Sequence, residues 1–208
     1  KTICLNKVAS SFQRRHLRPQ ARESFRTQRS RKGITMDLRE YKPESPNDFV
    51  GAPQKKWAKL LLGSVQLVKE GKSRNLKVLL KGPPGVGKTS MAGFLARQLV
   101  SDPFRHTSII KESGADIDID WVRNLKDITR TVPMGGYMAI LVDEADLLPK
   151  KCRDLFLHVM DTLPKGYLVC FTSNLENLEK RFEDRCYEVR LDNPSPNEIS
   201  EWLRTNTR

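Results

Sequence analysis

Apolar residues recur in this chain at two spacings, one typical of helices and one typical of buried strands. Between residues 57 and 68 the spacing is helical, with apolar side chains at Trp57, Leu60, Leu61, Val65 and Val68. Beyond this segment, the apolar residues fall in short continuous runs, as expected for strands that are buried on both faces.

The order of these segments predicts the fold. The predicted strands are LKVLLKG, HTSIIKES, GYMAILVDEAD, GYLVCFTSN and RCYEVRL. The predicted helices are KTSMAGFLARQLV, DIDWVRNLKDIT with an aspartate cap, KCRDLFLHVMDTL, and SPNEISEWLRT with a cap and a proline at its start. Strands that alternate with helices predict an α/β fold, in which helices cover both faces of a five-stranded parallel sheet.

The stretch KGPPGVGKTS, residues 81–90, matches the phosphate-binding pattern G-x-x-x-x-G-K-[ST]. Its glycines allow backbone N–H groups to approach phosphate oxygens at a helix N-terminus. Lys88 supplies positive charge to the β- and γ-phosphates, and the Thr89 hydroxyl is placed to bind Mg²⁺. A strand before the loop and a helix after it complete the motif. We therefore predict an ATP or GTP site formed by Gly82, Pro83, Pro84, Gly85, Val86, Gly87, Lys88, Thr89 and Ser90.

An acidic pair follows the most apolar predicted strand. In YMAILVDEADLL, Asp143 comes directly after the apolar run 138–142. A strand that ends there delivers Asp143 to the carboxyl edge of the sheet, where open α/β sheets bind ligands. Asp143 is therefore predicted to hold Mg²⁺ together with Thr89. Glu144 is predicted to be the general base that polarises the attacking water.

The motifs GPPGVGKT, LVDEAD and FTSN resemble those of the AAA+ ATPases, which are P-loop NTPases, over about residues 43–208. The tetrapeptide DEAD, residues 143–146, also suggests an RNA helicase, but nothing here resembles the Ser-Ala-Thr segment or second motor domain of that family. YKPESPNDFVG, SGADIDIDWVRNL and EDRCYEVRL resemble the clamp-loader group, such as replication factor C small subunits, with Asp184 in place of the family's serine. The resemblance implies an ATP-binding AAA+ core in which Val50 and Gly51 lie by the adenine.

The resemblance also implies roles for residues outside the phosphate loop. Asn174, in TSN at the end of the fourth strand, corresponds to the sensor that contacts the γ-phosphate or orients water, with Thr172 and Ser173 as weaker candidates. An amide suits this role because it can donate to one oxygen and accept from another. Arg185 corresponds to the arginine finger, which in this family reaches a neighbouring subunit's site, and Arg181 is its rival. With Lys88 and Glu144, these two residues complete the predicted catalytic set of Lys88, Glu144, Asn174 and Arg185.

The sequence also departs from the family in what it lacks. It has no cysteine-rich zinc insertion like that of the bacterial clamp-loader motor subunit. KESGADIDID has no aromatic residue of the kind found in the pore loops of protein-unfolding AAA+ rings, which argues against an unfoldase. The family's helical lid is expected after PSPNEISEWL, but the sequence ends at Arg208. We therefore assign an ATPase core to residues 36–192, and a linker with the first helix of a largely missing lid to residues 193–208.

The net charge of +12 is concentrated at the start of the chain. Residues 1–35 contain ten Lys and Arg and one acid, Glu23, so this segment alone carries +9. An Arg- and Ser-rich segment with few apolar residues is predicted to be disordered. Three interpretations remain open: a nucleic-acid-binding arm, an organelle transit peptide, or sequence that is not native, since the first domain-like text begins at Met36.

Two further observations narrow the class of protein. There is no run of 18 apolar residues, which argues against a membrane span. The four cysteines form no C-x-x-C pair, which argues against a zinc module or a disulfide framework. A cytoplasmic protein is expected, or a nuclear or organellar one in a eukaryote.

The leading hypothesis is an ATP- and Mg²⁺-dependent ATPase of an oligomeric assembly. That assembly would remodel a DNA replication or recombination complex, with DNA and a sliding clamp or another protein as partners. A non-hydrolysing nucleotide-switch adaptor and a protein-remodelling AAA+ chaperone are the alternatives, and Glu144 and Asn174 favour hydrolysis. Arg123 and Lys126 in WVRNLKD either contact a DNA backbone or form a solvated helix face.

Overall fold

A parallel sheet forms the centre of the molecule. The computed structural model describes residues 41–101, 104–130, 133, 135–174 and 178–206. Within these ranges the sheet has five strands in the order β2-β3-β4-β1-β5, with every neighbouring pair parallel. The strands are β1 (Asn75–Lys81), β2 (Ile109–Ser113), β3 (Met138–Asp143), β4 (Tyr167–Ser173) and β5 (Tyr187–Arg190). The predicted five-stranded parallel sheet is confirmed.

Among the described residues, α-helices lie before, between and after these strands. They are α1 (Ala52–Lys69), α2 (Lys88–Leu99), the short α3 (Arg105–Ser108), α4 (Ile119–Ile128), α5 (Lys150–Thr162), the short α6 (Lys180–Glu183) and α7 (Pro196–Asn206). The predicted strand HTSIIKES begins later than expected, at Ile109, because α3 occupies residues 105–108. The Ser108 N–H donates to the Phe104 carbonyl oxygen at 2.9 Å and closes this single helical turn.

The sheet separates two hydrophobic cores, because alternate residues of each strand face opposite layers of helices. In β1, Val78 and Leu80 pack in the core formed with α1 and α2, whereas Leu79 packs in the core formed with α4, α5 and α6. The prediction of helices on both faces is therefore confirmed. Leu60 belongs to the apolar pattern of α1 but is 49% exposed, so it lies outside these cores.

The start of α4 has the predicted cap. The Asp118 side chain accepts a hydrogen bond from the Trp121 backbone N–H at 2.7 Å. This contact satisfies one of the backbone donors that a helix start leaves without an intrahelical partner.

The segment before α1 packs against α7, the predicted final helix. The rings of Tyr41 and Trp202 meet edge to face with their centroids 5.2 Å apart. The Trp202 indole Nε1–H also donates to the Asp48 carbonyl oxygen at 3.0 Å. These contacts bring the two ends of the described chain together beside the start of α1.

The predicted basic tail, residues 1–35, lies outside the described residues. Among the helices that the structure describes, none is both long enough and apolar enough to cross a membrane.

Candidate nucleotide site

The phosphate loop leaves β1 after Lys81 and enters α2 at Lys88, as the sequence pattern predicts. Gly87 directly precedes the helix in a left-handed conformation (φ 94°, ψ 18°), which glycine adopts without strain. Gly82 has φ 148°, and a Cβ built on it would lie 2.1 Å from the Leu191 carbonyl oxygen. The loop backbone therefore lies directly against the segment that follows β5, and it leads into a helix N-terminus of the kind that binds phosphate.

Lys88 is nearly buried, with 7% exposure. Its Nζ donates to the carbonyl oxygens of Gly82 (2.7 Å) and Pro83 (2.8 Å) and to Oδ1 of Asn174 (2.8 Å). The structure thus brings the predicted phosphate-binding lysine into contact with the predicted sensor amide. Burial lowers the pKa of Lys88, and nearby carboxylates, with Asp143 foremost, act in the opposite direction. Phosphates bound in the loop would further favour the charged ammonium form.

The Asp143 carboxylate accepts hydrogen bonds from two hydroxyl groups. Thr89 Oγ1 lies 2.8 and 2.9 Å from its two oxygens, and Thr172 Oγ1 donates to Oδ1 at 2.5 Å. Lys111 Nζ lies 3.6 Å from Oδ2. Hydroxyl and carboxylate oxygens are the hard ligands that Mg²⁺ prefers, so the predicted pair of Thr89 and Asp143 fits this ion in chemistry and proximity.

Glu144 follows β3 in a left-handed conformation (φ 54°, ψ 52°), which is uncommon for residues other than glycine. Its backbone N–H donates to Thr172 Oγ1 at 3.0 Å. Its carbonyl oxygen packs so closely on Gly114 that a Cβ there would lie 2.3 Å away. Glu144 is exposed at the edge of the sheet, which suits a base that activates water.

Val50 and Gly51, predicted to lie by the adenine, directly precede α1. Gly51 has φ 88°, and a Cβ on it would lie 3.2 Å from the Pro194 Cβ. Gln54 Nε2 donates to the Asp192 carbonyl oxygen at 2.5 Å. The structure therefore places Gly51 against the segment after β5, the same segment that contacts the phosphate loop.

The Arg185 side chain binds Asp161 of α5. Arg185 precedes β5, whose first residue, Tyr187, pairs with Val78 in the middle of β1. Because β1 and β5 are parallel, Arg185 lies toward the amino-terminal ends of these strands, whereas the phosphate loop lies at the carboxyl end of β1. Its guanidinium makes two hydrogen bonds to the Asp161 carboxylate (2.9 and 3.0 Å) and one to the Arg181 carbonyl oxygen (2.8 Å). The hydrogen bonds to Asp161 raise the pKa of Arg185. The rival Arg181 pairs with two other acidic side chains.

Sequence reasoning misses three polar contacts at this edge. Lys111 reaches Asp143 because β2 and β3 pair in a register that places the two residues diagonally opposite each other. Asp146 Oδ1 accepts a hydrogen bond from the Asn174 backbone N–H at 3.2 Å. Thr172, predicted only as a weaker sensor candidate, donates a hydrogen bond to Asp143. Its hydroxyl near the predicted sensor Asn174 indicated a polar role, but its partner could not be predicted because that partner depends on the strand order.

Comparison with known proteins identifies the family. Residues 78–192 match the "ATPase family associated with various cellular activities (AAA)". This segment contains the phosphate loop, the acidic pair after β3 and Asn174. The chain belongs to the AAA family. The predicted resemblance to AAA+ ATPases is thereby confirmed.

The AAA chain is similar in sequence to replication factor C subunits, as predicted. It is 29% identical over 168 residues to replication factor C subunit 3 of Saccharomyces cerevisiae, covering 79% of this chain and 47% of that protein. It is 30% identical over 166 residues to the replication factor C small subunit of Archaeoglobus fulgidus, covering 77% of this chain and 49% of that protein. The chain therefore spans about half the length of these relatives.

A solved structure shares the fold of this AAA chain. The Thermotoga maritima RuvB Holliday junction branch migration motor superposes with a TM-score of 0.58 at 24% sequence identity, covering 78% of this chain and 52% of that one. At this level of identity the match shows a common α/β architecture.

Proposed function

We propose that this AAA protein binds and hydrolyses ATP with Mg²⁺ at the interfaces of an oligomeric assembly, and that the assembly remodels a DNA-bound replication or recombination complex. One observation carries the nucleotide part. Lys88 Nζ lies 2.8 Å from Asn174 while the Thr89 hydroxyl lies 2.8 Å from Asp143. Residues from the phosphate loop, the acidic end of β3 and the end of β4 thus meet at one edge of the sheet. Enzymes of phosphoryl transfer use such a combination of a cation, a hydroxyl, a carboxylate and an amide.

Each of these residues has a proposed task. Lys88 neutralises the β- and γ-phosphates, and Thr89 with Asp143 would hold Mg²⁺, which when bound neutralises further phosphate charge. Glu144 accepts a proton from the attacking water. Asn174 binds a γ-phosphate oxygen or orients that water. Because its Oδ1 accepts from Lys88 in the structure, phosphates would compete with it for the ammonium group.

Arg185 supports the interface part of the proposal. It is a permanent cation, and Asp161 aligns it through two parallel hydrogen bonds. Its location before β5 directs it away from the phosphate loop of its own chain, so we propose that it acts on the nucleotide of a neighbouring subunit. Both sequence relatives are named as subunits, which also supports the proposal that this chain works in an oligomeric assembly.

The DNA part rests on the relatives. They are named as replication factor C subunits, and the structural neighbour as a Holliday junction branch migration motor. The α4 surface adds little support, because Arg123 is exposed and pairs with Asp120 at 3.0 Å, as expected for a solvated helix face. We also propose that residues 36–192 are the ATPase core and that residues 193–208 are a linker and the first helix of a lid.

Steady-state ATP hydrolysis with and without primed DNA tests this function. Glu144→Gln should retain ATP binding while hydrolysis falls by about 10²–10⁴-fold, because the amide keeps the shape of the side chain but cannot take the proton. Glu201→Gln, an exposed residue on α7, is the matched control and should hydrolyse ATP at the wild-type rate. Binding is measured with a fluorescent ATP analogue.

The alternatives make different predictions in the same assay. Unchanged hydrolysis in Glu144→Gln would place the base elsewhere. Wild-type protein that binds ATP but never hydrolyses it would be a nucleotide-switch adaptor. Stimulation by unfolded protein and not by DNA would indicate a chaperone.

A further inference from the structure

A second lysine, Lys81, is buried directly before the phosphate loop, and the function proposed above gives it no role. Lys81 is the last residue of β1 and is 3% exposed. Its Nζ contacts Glu183 Oε1 at 2.5 Å and Glu188 Oε2 at 3.0 Å. A buried ammonium is unfavourable unless it is paired and hydrogen-bonded, so these two carboxylates account for its presence.

The sheet decides which carboxylates meet Lys81. Side chains two residues apart in a strand share a face, so Lys81 lies on the same face as Leu79, which packs with α5 and α6. Leu79 pairs with Glu188 of β5, which places this glutamate diagonally across from Lys81. The Lys81 carbonyl oxygen also accepts from the Leu191 N–H at 2.8 Å. The end of β1 is thus tied to β5 through both backbone and side chain.

Glu183 belongs to the segment that carries Arg185. Its Oε1 accepts the Lys81 hydrogen bond and a second one from the Leu178 N–H at 2.8 Å. Its carbonyl oxygen accepts from the Cys186 N–H at 2.9 Å, so the turn that contains Arg185 closes directly on Glu183. Residues 178–186, here called the finger segment, are therefore anchored through Glu183 to the strand that leads into the phosphate loop.

We propose that Lys81 is a positioning residue that fixes the finger segment, through Glu183, so that Arg185 is presented to the neighbouring subunit. This inference rests on the proposed action of Arg185 in trans. In this role Lys81 contacts neither the nucleotide nor the reacting atoms. It acts through Glu183, two residues before Arg185. Its loss should therefore impair what a subunit gives to its neighbour and leave the subunit's own nucleotide site working.

Mixed assemblies separate these two effects. Lys81→Met removes the charge and keeps an unbranched side chain of similar length. Lys88→Ala supplies an intact finger but no working site, whereas Arg185→Ala supplies a working site but no finger. Each protein is assayed alone and in equal mixtures, at a concentration where the wild-type rate per subunit has reached its plateau.

Lys81→Met alone should hydrolyse ATP about 10²-fold more slowly than wild type, because misplacing a catalytic group by about 1 Å has an effect of that size. Adding Lys88→Ala should restore hydrolysis, since those subunits donate fingers to intact Lys81→Met sites. Adding Arg185→Ala should not restore it, since neither partner then presents a working finger. A fluorescent ATP analogue should bind Lys81→Met with near wild-type affinity.

The reverse pattern would overturn the inference. Rescue by Arg185→Ala but not by Lys88→Ala would show that Lys81 serves its own phosphate loop, and a wild-type rate for Lys81→Met alone would show that it positions nothing. If Lys81→Met melts at a lower temperature, the double variant Lys81→Met/Glu183→Gln repeats the assay. It also neutralises Glu183, whereas Glu188 still pairs with Arg190 at 2.8 Å. A wild-type rate for Arg185→Ala alone would instead refute the trans finger itself.

Discussion

Thr172 joins β4 to the acidic end of β3, and its hydroxyl should matter for both stability and turnover. The side chain is 3% exposed. Its Oγ1 donates to Asp143 Oδ1 at 2.5 Å and accepts from the Glu144 N–H at 3.0 Å. Thr172→Val keeps the size and β-branching of the side chain but removes both hydrogen bonds.

The size of the effect follows from these two contacts. A hydrogen bond to a charged acceptor contributes about 1.5–3 kcal/mol, and the second bond contributes about 0.5–1.5 kcal/mol. Water can reach the exposed Glu144 in the variant and recover part of the loss. We therefore expect the free energy of unfolding to fall by about 2–4 kcal/mol. In a chain of 208 residues this lowers the melting temperature by about 4–16 °C.

Thermal unfolding of the nucleotide-free protein measures the loss. Thr172→Ser is the matched control, because it retains the hydroxyl and removes only a methyl group, so it should lose only about 1 kcal/mol. Steady-state hydrolysis should also fall in Thr172→Val, since the Asp143 carboxylate and the Glu144 backbone both lose a fixed partner. If Thr172→Val unfolds within about 0.5 kcal/mol of wild type, or Thr172→Ser is equally damaging, the two hydrogen bonds do not hold this edge together.

Two further substitutions test other contacts of the site. Gly82→Ala should reduce the free energy of unfolding by roughly 2–4 kcal/mol and weaken binding of a fluorescent ATP analogue, because its Cβ would lie 2.1 Å from the Leu191 carbonyl oxygen. Its control, Gly63→Ala, has no atom within 4 Å and should be neutral or stabilising; equal damage in both variants would contradict the steric argument. Lys111→Met should tighten Mg²⁺ binding by about 2–5-fold, measured as the Mg²⁺ dependence of fluorescent ADP affinity, because it removes a half-exposed cation that competes for Asp143. Weaker Mg²⁺ binding in that variant would mean that Lys111 helps to hold the nucleotide instead.

The sequence by itself was enough for features whose chemistry is local. The phosphate loop can be recognised because the glycines, Lys88 and Thr89 that it needs are adjacent in the chain and lie between a strand pattern and a helix pattern. Asp143 can be placed at the carboxyl edge because it ends the longest apolar run. The class of fold follows from the same patterns, since strands buried on both faces must alternate with the helices that cover them.

Only the tertiary structure decided which distant residues touch. Lys88 and Asn174 are 86 residues apart, and Lys81 and Glu183 are 102 residues apart. These contacts depend on the strand order β3-β4-β1-β5, which brings separate strand ends side by side and which no local pattern encodes. Arg185 is also distinguished by its partner Asp161, a contact that requires α5 to pack beside the finger segment. Local propensity determines the helices and strands. The charge of Lys81 can be buried only in the folded chain, because only there do Glu183 and Glu188 lie within hydrogen-bond distance of its ammonium group.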